Sequence, residues 1–235
     1  MNISELANPI SEEMPFGIYL KNERKLYRPL RSTLNKCLSA YRALSETAET
    51  MLDEELQLAN ATAWQELNSI TFETLKETTK DLEIFCWFVA SCVHLQNPFD
   101  NLAEGFTILA NFVDDAWEEI NPQAKKEADA DGLTLQKEAT DLKLRAFLQL
   151  FGEVENSGLL FSPMNNIEII PGLTYASFVS AQSSDSVDQL KNEFKTQLNN
   201  LSDDVAQTYG QLCNIEKSLE RLTEKLNAEA FKVGL

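Results

Sequence analysis

The sequence predicts an all-α protein, a multi-helix bundle of about seven helices with a small extended or hairpin insertion near residues 153–172. The first observation behind this prediction is that no glycine occurs between Gly17 and Gly105, and no proline between Pro29 and Pro98. Strands joined by turns need such residues about every 8–12 positions, whereas long helices do not. The second observation is that apolar residues recur at the i, i+3, i+4 spacing of a helix with one buried face.

Three such patterns lie in the first half of the chain. An apolar stripe over residues 30–48 predicts the first helix, and a second helix is expected from about Thr62. A third helix is predicted over residues 81–95, with Thr78 or Thr79 as its cap. Because its apolar side chains surround the whole helix, we expect it at the centre of the bundle.

Two further helices follow. Asp100 or Asn101 is expected to open a fourth helix, which ends before Pro122. Residues 123–131 are polar and charged, and they predict a solvated loop before a fifth helix over residues 133–151.

The last third of the chain begins with the only segment that looks non-helical. Glycine and proline cluster around residues 159–161 and 167–170, so a short hairpin or an extended flap is expected there. Two apolar stripes follow, over residues 187–209 and 212–226. Gly210 lies between them, which favours a helical hairpin.

The chain is long enough for one large domain or two small ones. We expect a helical domain over residues 1–180. Residues 181–235 would form the helical hairpin, either packed on that domain or leading towards a further C-terminal region.

Charge excludes several classes of function. The 235 residues include 37 acidic and 20 basic side chains, a formal net charge of −17. Proteins that bind nucleic acid match phosphates with lysine and arginine, so this balance excludes nucleic acid as a partner, and anionic lipids would repel the chain. No stretch approaches the roughly 18 apolar residues of a membrane span, and residues 1–20 hold no basic side chain. We therefore expect a cytoplasmic protein without direct membrane insertion.

The sequence offers few groups for enzyme chemistry. His94 is the single histidine, which excludes histidine-rich metal sites, and the eight glycines form no phosphate-binding or nucleophile-elbow motif. The four cysteines lie among apolar neighbours and are expected as reduced core thiols. Asp114 and Glu118 are one helical turn apart and could bind a cation loosely, but a solvated acidic face fits this pattern better. We predict no catalytic residue, no metal and no cofactor.

The aromatic residues suggest a surface for protein binding. Trp64, Trp87 and Trp117 fall on three different predicted helices and are expected in the bundle core. Phe99 is different, because it follows Gln96-Asn97-Pro98 in a turn where no periodicity requires burial. We therefore predict that Phe99 lies at the rim of a partner-binding groove.

Four short segments also match known motifs in order and spacing. Residues 10–20 follow the pattern I-S-x-x-x-P-x-G-x-x-L, and residues 79–82 read TKDL after an upstream tryptophan. Residues 102–106 read LAEGF ahead of a tryptophan and a proline, and residues 144–148 read LRAFL. Together they resemble the N-terminal domain of the ImpA/TssA family of bacterial type VI secretion systems. The residues that carry the resemblance are Pro15, Gly17, Leu20, Trp64, Lys80, Asp81, Leu82, Gly105, Trp117 and Pro122.

The chain departs from the family pattern at two places. An acidic pair is usual where Ile18-Tyr19 stands, and a glycine-rich turn is usual at residues 96–99. The resemblance implies a non-enzymatic assembly protein whose partners are baseplate, sheath, tube or membrane-complex proteins, with homo-oligomerisation open. Family members start tube and sheath polymerisation or cap it, and the sequence does not separate these roles. The motif residues would be structural or partner-binding.

Two alternatives come from other classes. An acidic inhibitor that mimics nucleic acid would explain the charge of −17, although the acidic residues are scattered over every predicted helix. A helical-bundle enzyme with a carboxylate-bound metal would explain the abundance of acidic pairs.

Overall fold

The computed structural model describes residues 2–124 and 131–235. Within these ranges it contains ten α-helices, two short 3₁₀ helices and one two-stranded antiparallel hairpin, so the predicted all-α fold with a small hairpin is confirmed. Most of the predicted loop at residues 123–131 lies outside the described residues. The helices are α1 Arg24–Leu44, α2 Ala48–Met51, α3 Glu54–Glu77, α4 Leu82–Cys92, α5 Pro98–Ala116, α6 Gly132–Phe151, α7 Phe161–Asn166, α8 Tyr175–Ser183, α9 Val187–Asn200 and α10 Ser202–Lys232; the strands are β1 Glu168–Ile170 and β2 Leu173–Thr174; the 3₁₀ helices are Ile3–Ala7 and Leu20–Asn22.

Helix α4 is the centre of the bundle, as its all-round apolar sequence predicts. Every residue of α4 except Glu83 is buried, and α3, α5 and α6 all pack against it. The predicted cap, Thr78 or Thr79, is wrong. The carboxylate of Asp81 accepts a hydrogen bond from the backbone N–H of Glu83 at 2.9 Å, and the Thr79 hydroxyl instead donates to the carbonyl of Ile18 at 2.6 Å.

Two helices begin earlier than the sequence pattern indicates. Helix α3 starts at Glu54 rather than near Thr62, because the Asp53 carboxylate accepts hydrogen bonds from two backbone N–H groups of its first turn. Helix α5 starts at Pro98, where proline suits the first turn because the missing N–H is not needed there. Phe99 therefore lies in the first helical turn of α5 and not in the turn that precedes the helix.

The non-helical insertion is shorter than expected. Residues 168–174 form the hairpin β1–β2, which turns at Pro171 and at Gly172, with a φ of +81°. The prediction that residues 159–161 are part of a hairpin or an extended flap is wrong, because Leu159 and Leu160 lie in a turn and Phe161 begins α7.

Gly210 does not break the C-terminal helices. It lies inside α10, where added side-chain atoms would meet open space, and the break falls at Leu201, between α9 and α10. Helix α10 packs along α5 and contributes Ile215 and Leu222 to the same core cluster as α3, α4 and α5. The division into residues 1–180 and 181–235 stays a prediction.

Candidate functional site

Most of the predicted motif residues meet beside the N-terminal end of α4. Three non-helical segments pair there, residues 16–18, 78–81 and 121–122, and we call this meeting point the motif junction. The backbone N–H of Lys80 donates to the carbonyl of Phe16 at 2.8 Å, and that of Ile18 donates to Thr78 at 3.2 Å. The N–H of Leu82 donates to the carbonyl of Asn121 at 2.8 Å. The junction therefore ties together residues that are up to 105 positions apart.

Gly17 is the residue that lets two of these segments approach. Its φ is +64°, a conformation that disfavours any side chain, and a β-carbon there would lie 2.1 Å from the carbonyl oxygen of Thr78. Since that neighbour is backbone, it has little freedom to give way. The glycine of the opening motif is thus required by the contact between residues 16–18 and 78–81.

Lys80 is fully buried behind the junction. Its Nζ donates to the carbonyl of Leu6 at 2.8 Å and to that of Leu75 at 2.7 Å, and it lies 5.6 Å from the centre of the Phe112 ring. Leu75 is in the last turn of α3, where carbonyl groups lack partners within the helix and attract a positive charge. Burial lowers the pKa of Lys80 to about 8. Lys80 therefore fastens the N-terminal 3₁₀ helix to the end of α3.

Asp81 supplies the cap of α4 from an equally buried position. Only 1% of the residue is exposed, and burial, reinforced by the nearby Glu83, raises the pKa of its carboxyl to about 7. Tyr19, Lys21 and Glu83 line a small cavity of about 50 Å³ beside it, and Lys21 pairs with Glu83 at 3.0 Å. Near neutral pH, Asp81 is thus divided between its charged and neutral forms.

Lys143 is a second buried lysine, which sequence reasoning missed. Its Nζ donates to the carbonyl of Trp117 just after α5 and lies 4.9 Å from the centre of the Trp117 ring. Burial lowers the pKa of Lys143 to about 8. A signal for this role was present, because Lys143 occupies the same helical stripe as the buried Thr140, Phe147 and Leu150.

Two motif residues lie away from the junction. Trp64 donates from its ring nitrogen to Asn60 at 3.0 Å and stacks on His94, with ring centres 4.0 Å apart. Gly105 lies on the face of α5 that packs on α4, where a β-carbon would meet Val89 at 3.5 Å, an ordinary contact distance. Of the ten motif residues, Pro15 is exposed and Gly17 partly buried, and the other eight are buried. Their geometry supports a structural role.

Phe99 is half-buried at the start of α5. It lines a cavity of about 290 Å³ together with residues of β1 and α10. The neighbouring Asp100 accepts hydrogen bonds from Gln207 at 3.3 Å and from Gln211 at 2.8 Å, so α10 covers one side of this cavity. The role of Phe99 at a partner rim stays a prediction.

The groups that could perform catalysis are occupied in packing. His94 lies between Trp64 and Tyr41, and burial lowers its pKa to about 3, which leaves the ring neutral near pH 7. Burial also raises the pKa of the Cys37 and Cys92 thiols to about 12, well above the range of a reactive thiolate.

The metal alternative also lacks structural support. Asp114, one half of the suggested cation pair, forms an ion pair with Arg221 of α10 at 2.6 Å. Across residues 2–124 and 131–235, no cluster of three or more histidine, cysteine or acidic side chains could hold a metal ion. Within the same part of the chain, no helix is long and apolar enough to cross a membrane.

Fold and site define a class of protein: an acidic helical bundle in which short motifs, far apart in the sequence, meet at the motif junction. The chain belongs to the ImpA N-terminal family of the type VI secretion system. The sequence profile described as "ImpA, N-terminal, type VI secretion system" matches residues 7–151, more than half of the chain. The family resemblance inferred from the motifs is therefore confirmed.

A solved structure shows the same fold. It is the N-terminal domain, including the conserved ImpA_N region, of the TssA component of the type VI secretion system from Burkholderia cenocepacia. The similarity covers 99% of this chain and 84% of that one, with a TM-score of 0.52 and 18% sequence identity. At this identity the likeness shows the fold alone. No curated protein matches the sequence significantly.

Proposed function

We propose that this protein is a cytoplasmic, non-enzymatic assembly component of a bacterial type VI secretion system. It acts at the baseplate and the contractile tail, where it binds baseplate, sheath, tube or membrane-complex proteins and starts or caps polymerisation of the tube and sheath. The observation that carries this proposal is the family match over residues 7–151, which contains the whole motif junction.

The geometry of the junction supports a binding role over a catalytic one. Gly17, Lys80 and Asp81 are engaged with backbone groups of their own chain. The motif residues thus hold the chain's own segments together, and exposed side chains elsewhere are left to contact partners. The net charge of −17 also favours solubility before the protein binds the other subunits of the secretion system.

Phe99 is the side chain that we place at the partner surface. Aromatic residues are enriched at protein interfaces, because they contribute a large apolar area with few rotatable bonds. The Phe99 cavity opens between α5, β1 and α10, so a partner there would contact three elements at once.

Affinity purification from a bacterium that is actively secreting tests the general proposal. The tagged chain is expected to recover baseplate, sheath, tube or membrane-complex subunits. Recovery of none of these would contradict the assignment.

Site-specific photo-crosslinking tests the finer proposal. A crosslinking residue at position 99 should trap one of those subunits. The same residue at Leu58, which is 69% exposed on α3, serves as the control and should trap little of it. Equal crosslinking from both positions would remove Phe99 from the interface.

A further inference from the structure

The C-terminal end of helix α5 carries an unfavourable set of charges. Asp114 and Asp115 lie in its last turn, Glu118 and Glu119 follow directly after the helix, and the last turn holds no basic residue. The carbonyl end of a helix bears a partial negative charge, so acidic side chains there lower its stability and basic side chains raise it. The sequence therefore places acidic residues where they oppose folding.

Two of these four acidic residues interact with basic side chains of the chain itself. Asp114 forms an ion pair with Arg221 of α10 at 2.6 Å. Glu118 acts on the buried Lys143: burial lowers the pKa of Lys143, and the negative charge of Glu118 counteracts part of that change. These two acidic residues therefore have a structural explanation.

The other two, Asp115 and Glu119, have no such explanation. Both are exposed, and across residues 2–124 and 131–235 neither forms an ion pair. Natural proteins depart from locally favourable sequence choices mainly at functional sites. Two carboxylates thus face solvent at a helix end that favours a positive charge.

Two cavities with largely apolar walls lie beside these acidic residues. One, of about 550 Å³, is lined by Glu118 and Glu119, the other, of about 340 Å³, is lined by Asp115, and Phe16 lines both. We call the two cavities together the α5 groove. Its apolar walls include Met14, Trp117 and Leu135 in the larger cavity and Ile108, Phe112 and Ala116 in the smaller.

The exposed charge of the α5 groove is negative. Among the described residues that line it, Lys143 is the one basic residue, and it is buried with its Nζ donating to the carbonyl of Trp117. A groove with apolar walls and acidic residues at its edge is complementary to a ligand that carries both apolar and positively charged groups. The net charge of −17 attracts the same kind of ligand over a longer range.

The division of the groove favours a polypeptide as its ligand. Each cavity is about as large as an ordinary ligand site, which occupies roughly 300–1,000 Å³. A single compact molecule would fill one of them. A peptide carries side chains at intervals along a backbone, so it can place one apolar side chain in each cavity and a basic side chain between them.

We infer that the α5 groove binds a segment of a partner protein that combines lysine or arginine with large apolar side chains. The apolar side chains enter the two cavities, and the basic side chains pair with Asp115 and Glu119. Such a partner also neutralises the acidic residues that oppose the end of α5. The inference rests on the proposed function only in that the partner is a protein.

Selection from a library of random short peptides displayed on phage tests the inference, with the purified full chain as the target. The selected peptides should be richer in lysine, arginine and large apolar residues than the starting library. Fluorescence anisotropy then measures their affinity. The double variant Asp115→Asn with Glu119→Gln should bind them at least tenfold more weakly, and added salt should weaken binding to the wild type. Glu118 is left unchanged because its charge acts on Lys143.

The double variant Glu153→Gln with Glu155→Gln is the matched control. Both glutamates are exposed and lie outside the groove, and their replacement changes the net charge by the same amount. This variant should bind the peptides like the wild type. Equal weakening by both double variants would show attraction to the overall charge and not to the groove.

Thermal unfolding followed by circular dichroism gives a second readout. Asp115→Asn with Glu119→Gln should raise the melting temperature, because the two acidic residues oppose the end of α5, and the control variant should leave it unchanged. A library that yields no binder, selected peptides without basic residues, or a lower melting temperature of the groove variant would each overturn the proposal. No secretion subunit enters these experiments, so their outcome is separate from that of the affinity purification.

Discussion

Replacement of Gly17 by alanine should destabilise the protein more than any other glycine-to-alanine change in the motifs. A β-carbon at this position would lie 2.1 Å from the carbonyl oxygen of Thr78, and the backbone is in the left-handed region at φ +64°. The added group must therefore push residues 16–18 away from residues 78–81.

The magnitude can be worked out from these contacts. A side chain in the left-handed region costs about 1–2 kcal/mol. Separation of the segments also breaks the bond from Lys80 to Phe16 at 2.8 Å and the bond from Ile18 to Thr78 at 3.2 Å. Each contributes about 1 kcal/mol net, so the free energy of unfolding should fall by roughly 3–4 kcal/mol. That is a large part of the total of about 5–15 kcal/mol that is typical of folded domains.

Gly105→Ala is the matched control. Gly105 lies in helix α5, where a β-carbon would meet Val89 at the ordinary distance of 3.5 Å. Alanine is favoured over glycine in a helix interior by about 0.5–1 kcal/mol, so this variant should be neutral or slightly more stable. Urea unfolding followed by circular dichroism measures both variants. If Gly17→Ala unfolds within about 0.5 kcal/mol of the wild type, or if both variants lose stability equally, the role given to the motif junction is wrong.

Three further predictions concern charge, the rim and the core. Burial raises the pKa of Asp81 from its ordinary value near 4 to about 7, so the folded state binds the proton more tightly and this contribution to stability is lost as pH rises from about 4 to 7. Asp81→Asn keeps a capping oxygen and should flatten the pH dependence of urea unfolding in that window; an unchanged slope would contradict the assignment. Phe99→Ala should cost less than about 3 kcal/mol in the same assay, since the ring is half-buried, and a larger loss would make Phe99 a core residue. A fragment of residues 1–180 lacks Ile215 and Leu222 of the core, so its melting temperature should be lower than that of the full chain. An unchanged melting temperature would establish residues 1–180 as an independent domain.

Local sequence patterns were enough to predict the bundle and its centre. Helix α4 is apolar on all sides, and a helix with that sequence is stable only when other elements surround it. The starts of α3 and α5 were missed for a different reason. The first turns of these helices depend on Asp53 and Pro98, which cap or open a helix without adding to an apolar stripe.

The motif junction could not be predicted from periodicity. The carbonyl of Phe16 accepts hydrogen bonds from the backbone of Lys80 and from the side chain of Asn121. Such pairings between segments far apart in the chain leave no repeating pattern in the sequence. The family resemblance singled out several residues that meet at the junction, but it did not say that most of the motif residues are buried. The cap of α4 could not be chosen from the sequence either. Thr78, Thr79 and Asp81 can all cap a helix, and the structure shows that Asp81 does so.

Secretion by the host bacterium tests the central claim most directly. If the protein is an assembly component, deletion of its gene should abolish secretion of the tube protein and formation of contractile sheaths, counted by fluorescence microscopy of a labelled sheath subunit. The wild-type gene and the Gly105→Ala gene should restore both, and Gly17→Ala should restore them poorly. Undiminished sheath formation and secretion in the deletion strain would contradict the assignment to type VI secretion assembly.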